Sequence, residues 1–158
     1  IIFEHATLYN EQGELPETDD YAMENDSARI SRAGGDITLI TYGGSLQKTM
    51  AAAEDLAKDG IDCEVIDLRS LRPIDDATIM ASLAKTHRAV IVDEGWRSVG
   101  LAAEISARIT EQVFFDLDGP VARVCSAEVP IPYPRHLEMA ATPQPDKIAA
   151  AAREVLRR

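Results

Sequence analysis

The first 28 residues contain no lysine or arginine, and the whole chain contains only two cysteines, three histidines and one tryptophan. Each scarcity excludes something. Cys63 and Cys125 stand far apart in apolar, strand-like runs (CEVIDL and VARVC) with no metal-ligand spacing. They read as reduced, buried thiols of a cytoplasmic-type protein, not as a zinc site or a disulfide framework. His5, His87 and His136 are scattered, and none has another His or Cys at ligand spacing. No apolar run approaches the roughly 20 residues that a membrane-spanning helix needs. Neither G-x-G-x-x-G nor G-x-x-x-x-G-K-[ST] occurs. No Ser-His-Asp or Cys-His set can be argued, so taken by itself the chain reads as a non-catalytic domain. A basic stripe for nucleic acid is also missing. The net charge is −11, and eight of the acids fall in residues 1–28 (Glu4, Glu11, Glu14, Glu17, Asp19, Asp20, Glu24 and Asp26). The other 130 residues carry all 16 bases against 19 acids. That balance leaves room for a basic protein partner. The chain opens on IIFE without an initiator Met or a signal-type start, so a fragment of a longer protein is expected.

What is present has a regular order. Hydrophobic residues at 46% and charged residues at 27% are ordinary for one soluble domain. IIFEHATLY (1–9) begins like the last strand of an upstream unit, and residues 10–35 read as a polar, acidic connecting segment. ITLITY (37–42) is β-branched and fit for a strand. Gly43, Gly44 and Ser45 make the turn, with Ser45 the expected N-cap of a helix to about Lys58. That helix carries Leu46, Met50, Ala53 and Ala57 on one face. CEVIDL (63–68) is the next strand, followed by a helix capped by Asp75 or Asp76 and bearing Ile79, Met80 and Leu83. AVIVDE (89–94) is a third strand, apolar enough to be covered on both faces. A helix from about Gly100 to Val113 then places Ala102, Ile105, Ile109 and Val113 on one stripe. VARVC (121–125) is a fourth strand, EVPIPYP (128–134) a Pro-rich connector, and a last helix starts near Pro145 and buries Ile148, Ala152 and Val155. The alternation predicts an α/β domain with a largely parallel sheet and helices on both faces.

The candidate chemistry is thin. Gly43-Gly44-Ser45 lies where a phosphate could sit on free amides, but a plain tight turn accounts for it. His87, in KTHR, suits a helix C-terminus without any function. Asp93 and Glu94 end a strand at the edge where such sheets bind ligands, yet adjacent strand residues face opposite sides, so their carboxylates should not converge. Trp96 reads as a packing or subunit-contact residue. Phe114 to Pro120 joins two aromatics to two acids, either as an anchor and turn or as an acidic docking spot for a basic partner. Ile66 to Asp75, IDLRSLRPID, places Arg69 and Arg72 just past a strand, either to hold phosphate or to brace the structure.

The ordered set ITLITYGGSLQKTMAAAEDLAKDGIDCEVIDLRSLRPIDDATI, KTHRAVIVDEGWRSVGLAAEISARI, FDLDGPVARV and VPIPYPRHLE closely resembles one family. It is similar to the C-terminal domain of beta subunits of the thiamine-diphosphate-dependent 2-oxoacid dehydrogenase first component, with pyruvate dehydrogenases the most similar branch. The resemblance implies a three-layer α/β/α, transketolase C-terminal-domain-like fold on a five-stranded, mostly parallel mixed sheet. The four strands read above fall one short, and the fifth is expected near 126–133. It further implies that residues 1–10 end a preceding pyrimidine-binding domain, 11–35 form an acidic linker and 36–158 the C-terminal domain. Ile66–Asp75 then becomes a structural signature, with Arg69 and Arg72 pairing with acids or carbonyls and Pro73 and Asp75 setting the next helix. No residue here is expected to be catalytic or to bind cofactor or metal. Thiamine diphosphate and magnesium would belong to the parent enzyme, and this piece alone would be inactive. The implied partners are an alpha subunit and a second beta subunit in an α2β2 heterotetramer, and the basic subunit-binding domain of a dihydrolipoyl acyltransferase. Asp118, Leu156, Arg157 and Arg158 carry over as docking residues, although two arginines suit a basic partner poorly. No nucleic acid and no membrane is expected. The expected location is the cytoplasm of a bacterium or an organelle matrix in a eukaryote. Beta subunits acting on branched-chain 2-oxoacids or acetoin, another transketolase-like enzyme such as deoxyxylulose phosphate synthase, and a free-standing small-ligand-binding module stay open as alternatives.

Overall fold

The structure, a computed structural model, describes residues 1–10, 12–14, 17–18 and 26–157, the Thr7 side chain excepted. After a 3-10 turn at Ala6–Asn10, the elements are β1 (Arg29–Arg32), β2 (Ile37–Thr41), α1 (Ser45–Lys58), β3 (Cys63–Asp67), α2 (Asp76–Thr86), β4 (Ala89–Trp96), α3 (Leu101–Val113), β5 (Ala122–Ser126), α4 (Arg135–Ala141) and α5 (Pro145–Leu156). The sheet order is β1-β3-β2-β4-β5. All pairs are parallel except β1 with β3. Strand alternation divides the core in two. Ile37, Leu39, Cys63, Val65, Val90 and Val92 point to the side of α1 and α5. Ile40, Ile66, Ala89 and Ile91 point to the side of α2 and α3. The result is the expected three-layer α/β/α architecture on a five-stranded mixed sheet.

Four sequence expectations need correction. The fifth strand is not near 126–133; it is β1, inside the stretch read as linker. RISR has one apolar residue, Ile30, itself half-exposed, so it shows no alternation. It forms because it pairs with Asp67, Ile66 and Val65 far along the chain, and its charged side chains suit an exposed edge. Second, residues 1–9, expected to begin like a strand, form none, and Ala6–Asn10 is a 3-10 turn. Third, the N-cap of α1 is Gly44, and Ser45 is the first helical residue. Fourth, the buried face of α1 is Ser45, Thr49, Ala52, Ala53 and Leu56, with Ala57 exposed. Small polar residues reach the sheet there, and Leu46 and Met50 only flank it. The acidic positions Glu11, Asp19, Asp20 and Glu24 lie outside the described residues, as does Pro16.

IDLRSLRPID proves to be a brace. The Arg69 guanidinium donates to the Ser27 carbonyl from Nε at 3.1 Å and Nη2 at 2.7 Å, and to Ser27 Oγ at 2.9 Å. Asp75 caps α2, accepting from Thr78 N at 3.0 Å and Thr78 Oγ1 at 2.7 Å, and also takes the Ala28 N–H at 2.9 Å. Both residues therefore hold residues 27–28 against the sheet, at the entry to β1. Arg72 is exposed and makes no such bond among the described residues.

A polar seam crosses the core at the other end of the strands. Thr38 Oγ1 bonds Ser82 Oγ at 2.7 Å and Thr86 Oγ1 at 2.6 Å. Glu64, only 2% exposed, accepts from Lys85 Nζ and from Gly34 N. Burial pushes the Glu64 carboxyl up, but Lys85, Ser82 and the Gly34 N–H together outweigh it and hold it below its ordinary value. A carboxylate depressed in the folded state stabilises it above the unfolded value, and that contribution fades as pH falls through the folded value. Glu64→Gln is expected to lose roughly 1–2 kcal/mol at pH 7, limited because Lys85 reaches solvent. Urea titrations should show the deficit shrinking below about pH 4; a deficit constant with pH would mean that the charge of Glu64 is not what matters.

Candidate functional site

The carboxyl edge of the parallel strands carries a cleft of about 430 Å³. Its walls come from residues 1–10, the start of α1, the end of β4 and the segment around α4. His5, Lys48, Glu94, Arg135 and Glu138 are its ionisable residues, and Ile131 and Met139 its apolar ones. Alternation along β4 sends its two terminal acids apart. Asp93 is buried and faces α3, accepting from Tyr42 Oη at 2.6 Å, Gly95 N at 2.7 Å and Ala102 N at 2.9 Å. Burial first, then Asp93, raises the Tyr42 hydroxyl far above the ordinary phenol range. Glu94 faces α1 and the cleft. Its two oxygens are divided between Lys48 Nζ at 2.8 Å and His5 Nε2 at 3.0 Å. Burial raises this carboxyl, and Lys48 and His5 together more than reverse the effect. The two acids are thus separate structural anchors, not a general acid–base pair.

The remaining sequence candidates spread over the molecule. Gly43 has φ +58 and makes the turn before α1. The Ser45 hydroxyl, expected as the cap, is buried without a hydrogen-bond partner among the described residues. His87 is the left-handed C-cap of α2, its Nδ1 2.8 Å from the Asp116 carbonyl oxygen, and His136 is exposed on α4. The histidines are not brought together. Trp96 is 49% exposed at the strand end and is not a packing residue within this chain. Cys63 packs on the α1–α5 side and Cys125 on the α2–α3 side, so the sheet separates them. Burial pushes the Cys63 thiol up to about 11 and raises Cys125 too, as for inert thiols.

The opposite, amino edge carries the docking candidates. Phe114 and Phe115 form an edge-to-face pair with centroids 5.3 Å apart, and Phe115 is 96% exposed. They do not anchor the link; half-buried Leu117 packs on the core instead. Asp118 pairs with Arg88 at 2.9 Å, and its N–H donates to the His87 carbonyl. Leu156 packs against the α1–α5 core, and Arg157 ends α5, its N–H reaching the Glu154 and Val155 carbonyls. Arg158 lies outside the described residues. Arg153 binds Asp55 and Asp59 at 3.1 and 2.6 Å, so the end of α5 sits beside the end of α1. The sequence could not show the meeting of His5, Lys48 and Glu94, because the histidine and the glutamate stand 89 positions apart and no local pattern joins them.

Comparison with known proteins gives a consistent picture. Residues 26–148 match the family profile described as transketolase, C-terminal domain. The pyruvate dehydrogenase E1 component subunit beta, mitochondrial, of Dictyostelium discoideum is 42% identical over 161 residues, covering 100% of this chain and 45% of the relative. Its Drosophila melanogaster counterpart is 46% identical over 138 residues, covering 87% of this chain and 38% of the relative. The Rhizobium meliloti subunit beta is 37% identical, covering 98% and 34%. The chain therefore spans less than half the length of these relatives. A solved structure titled split gene transketolase, inactive beta4 tetramer, superposes with a TM-score of 0.75 at 24% identity, over 89% of this chain and 44% of that one.

Proposed function

This chain belongs to the transketolase C-terminal domain family, and on that premise we propose that it is the C-terminal part of a pyruvate dehydrogenase (acetyl-transferring) beta subunit, serving subunit assembly and docking of the acyltransferase core. The observation that carries the reading is identity of about 40% running the length of the chain to proteins of that name. The parent would oxidatively decarboxylate pyruvate in a bacterial cytoplasm or an organelle matrix. Thiamine diphosphate and magnesium do not fit the described residues. Among the described residues no three His, Cys, Asp or Glu stand close enough to hold a metal. His5 also covers the glycine turn that could have faced a diphosphate. Cofactor and chemistry are therefore assigned to the part of the relatives outside this chain, and the isolated piece is proposed to be inactive.

Two surfaces support the assembly role. Trp96, Val99, Val129, Tyr133 and Leu137 are exposed apolar residues at and around the carboxyl edge, and an apolar surface of that kind suits burial by alpha and beta subunits of an α2β2 assembly. At the amino edge, the Phe114–Phe115 pair lies close in sequence to the acids Asp116 and Asp118, a combination suited to a basic partner. Asp118, Leu156 and Arg157 are the proposed contacts, with Arg158. Because Asp118 already holds Arg88, a partner's cation would share or displace that pair. Calorimetric titration with the basic subunit-binding domain of the same organism's acyltransferase should show salt-sensitive binding near one partner per two chains. Asp118→Asn should weaken it by roughly 1–3 kcal/mol. Equal affinity of the two proteins at low and high salt would remove Asp118 from the contact; no binding by either would sink the docking role of this piece.

A further inference from the structure

In an open α/β sheet the ligand crevice lies at the carboxyl ends of neighbouring strands whose following helices leave on opposite faces. Here those strands are β2 and β4, which are adjacent. α1 follows β2 onto the α5 side, and α3 follows β4 onto the α2 side. The crevice between them is floored by Gly44 and Glu94, and a side chain of this same chain occupies it. The His5 imidazole stands with Nε2 3.0 Å from Glu94 Oε2. A Cβ on residue 44 would lie 2.5 Å from both Cε1 and Nε2 of the ring. Gly44 has φ −62 and ψ −21, which any residue adopts. Glycine at 44 thus serves space and not conformation, and the His5 ring occupies that space. Glu94 is held in place from behind by Lys48.

We propose that His5 is a peg seated on the Gly44–Glu94 floor of this crevice, holding residues 1–10 to the domain as a strap. Emptied of His5, the crevice takes a small heterocycle of the imidazole class, which stacks over Gly44 and presents a ring N–H to Glu94. The inference rests on geometry within this chain and stands independently of the proposed function. The test is His5→Gly in the full chain, titrated with imidazole and with sodium chloride as the control. Backbone amide shifts of Gly44 and Glu94 report the crevice. Hydrogen exchange of the Leu8 amide, which bonds the His5 carbonyl, reports the strap. The expected result is exchange at least about tenfold faster in His5→Gly, with imidazole saturably shifting Gly44 and Glu94 and restoring protection. Gly44→Ala, which keeps His5, should release the strap to a similar degree and gain nothing from imidazole. Unchanged exchange in both variants would overturn the peg. So would faster exchange with imidazole shifts no larger than those of the unaltered chain. Failure of His5→Gly to fold would also overturn it, since a surface strap cannot be what holds the core together.

Discussion

Gly34→Ala is expected to lower stability by about 3 kcal/mol. A Cβ there would stand 2.5 Å from the backbone nitrogen of Glu64 and closer still to the carbonyl group of Cys63. Those atoms belong to β3, which is paired on both sides, with β1 and β2. The chain at 34–36 cannot back away either, because Gly35 N and Asp36 N both donate to the Asp62 carbonyl, at 3.1 and 2.9 Å. Relief therefore requires β1 to lift, which would also break the bond from Gly34 N to the buried Glu64. For a domain of this size the loss corresponds to a melting temperature roughly 6–12 °C lower. Gly119→Ala is the control, since a Cβ there meets nothing within 4 Å. A Gly34→Ala melting curve that overlays the control would refute the close approach of β1 to β3.

The second large effect is expected at Asp93. Its carboxylate collects a phenol from the end of β2, the N–H of Gly95 near the end of β4 and the Ala102 N–H in the first turn of α3. Three donors from three places thus converge on one side chain that is 1% exposed. Asp93→Ala takes the acceptor from all three, of which the Ala102 N–H is buried and the Tyr42 hydroxyl partly so, at about 2–4 kcal/mol. Tyr42→Phe should cost about 1 kcal/mol alone and much less in the Asp93→Ala background, because the bond it removes is already gone. Chemical denaturation of the four proteins measures the coupling, and strictly additive losses would show that Tyr42 and Asp93 do not act as one unit.

How much of this was legible beforehand differs by element. β2, β3, β4 and α3 could be read because their apolar residues repeat at the spacing of the structure they form. α5 was legible from Pro145 and the stripe Ile148, Ala152 and Val155. β1 was not, because an edge strand buries little and RISR owes its shape to β3. Nor was α4, whose Leu137 and Met139 stay exposed, leaving no stripe to read. On α1 the apolar pattern points one position away from the buried face, because leucine and methionine signal core while Ser45 and Thr49 take the closest places. In the cleft, divergence of Asp93 and Glu94 followed from strand geometry alone. The partners each acid found did not.

By itself the sequence determined the fold class, the largely parallel character of its sheet and its family. All of these rest on local periodicity and on motifs kept in order along the chain. The tertiary structure alone decided which edge strand closes the sheet, that Arg69 and Asp75 brace the entry to β1, and that His5 sits in the crevice beside Glu94. Those contacts join residues 42, 47 and 89 positions apart. Their energy comes from burial and directed hydrogen bonds across the folded chain, and nothing local in the sequence carries that information.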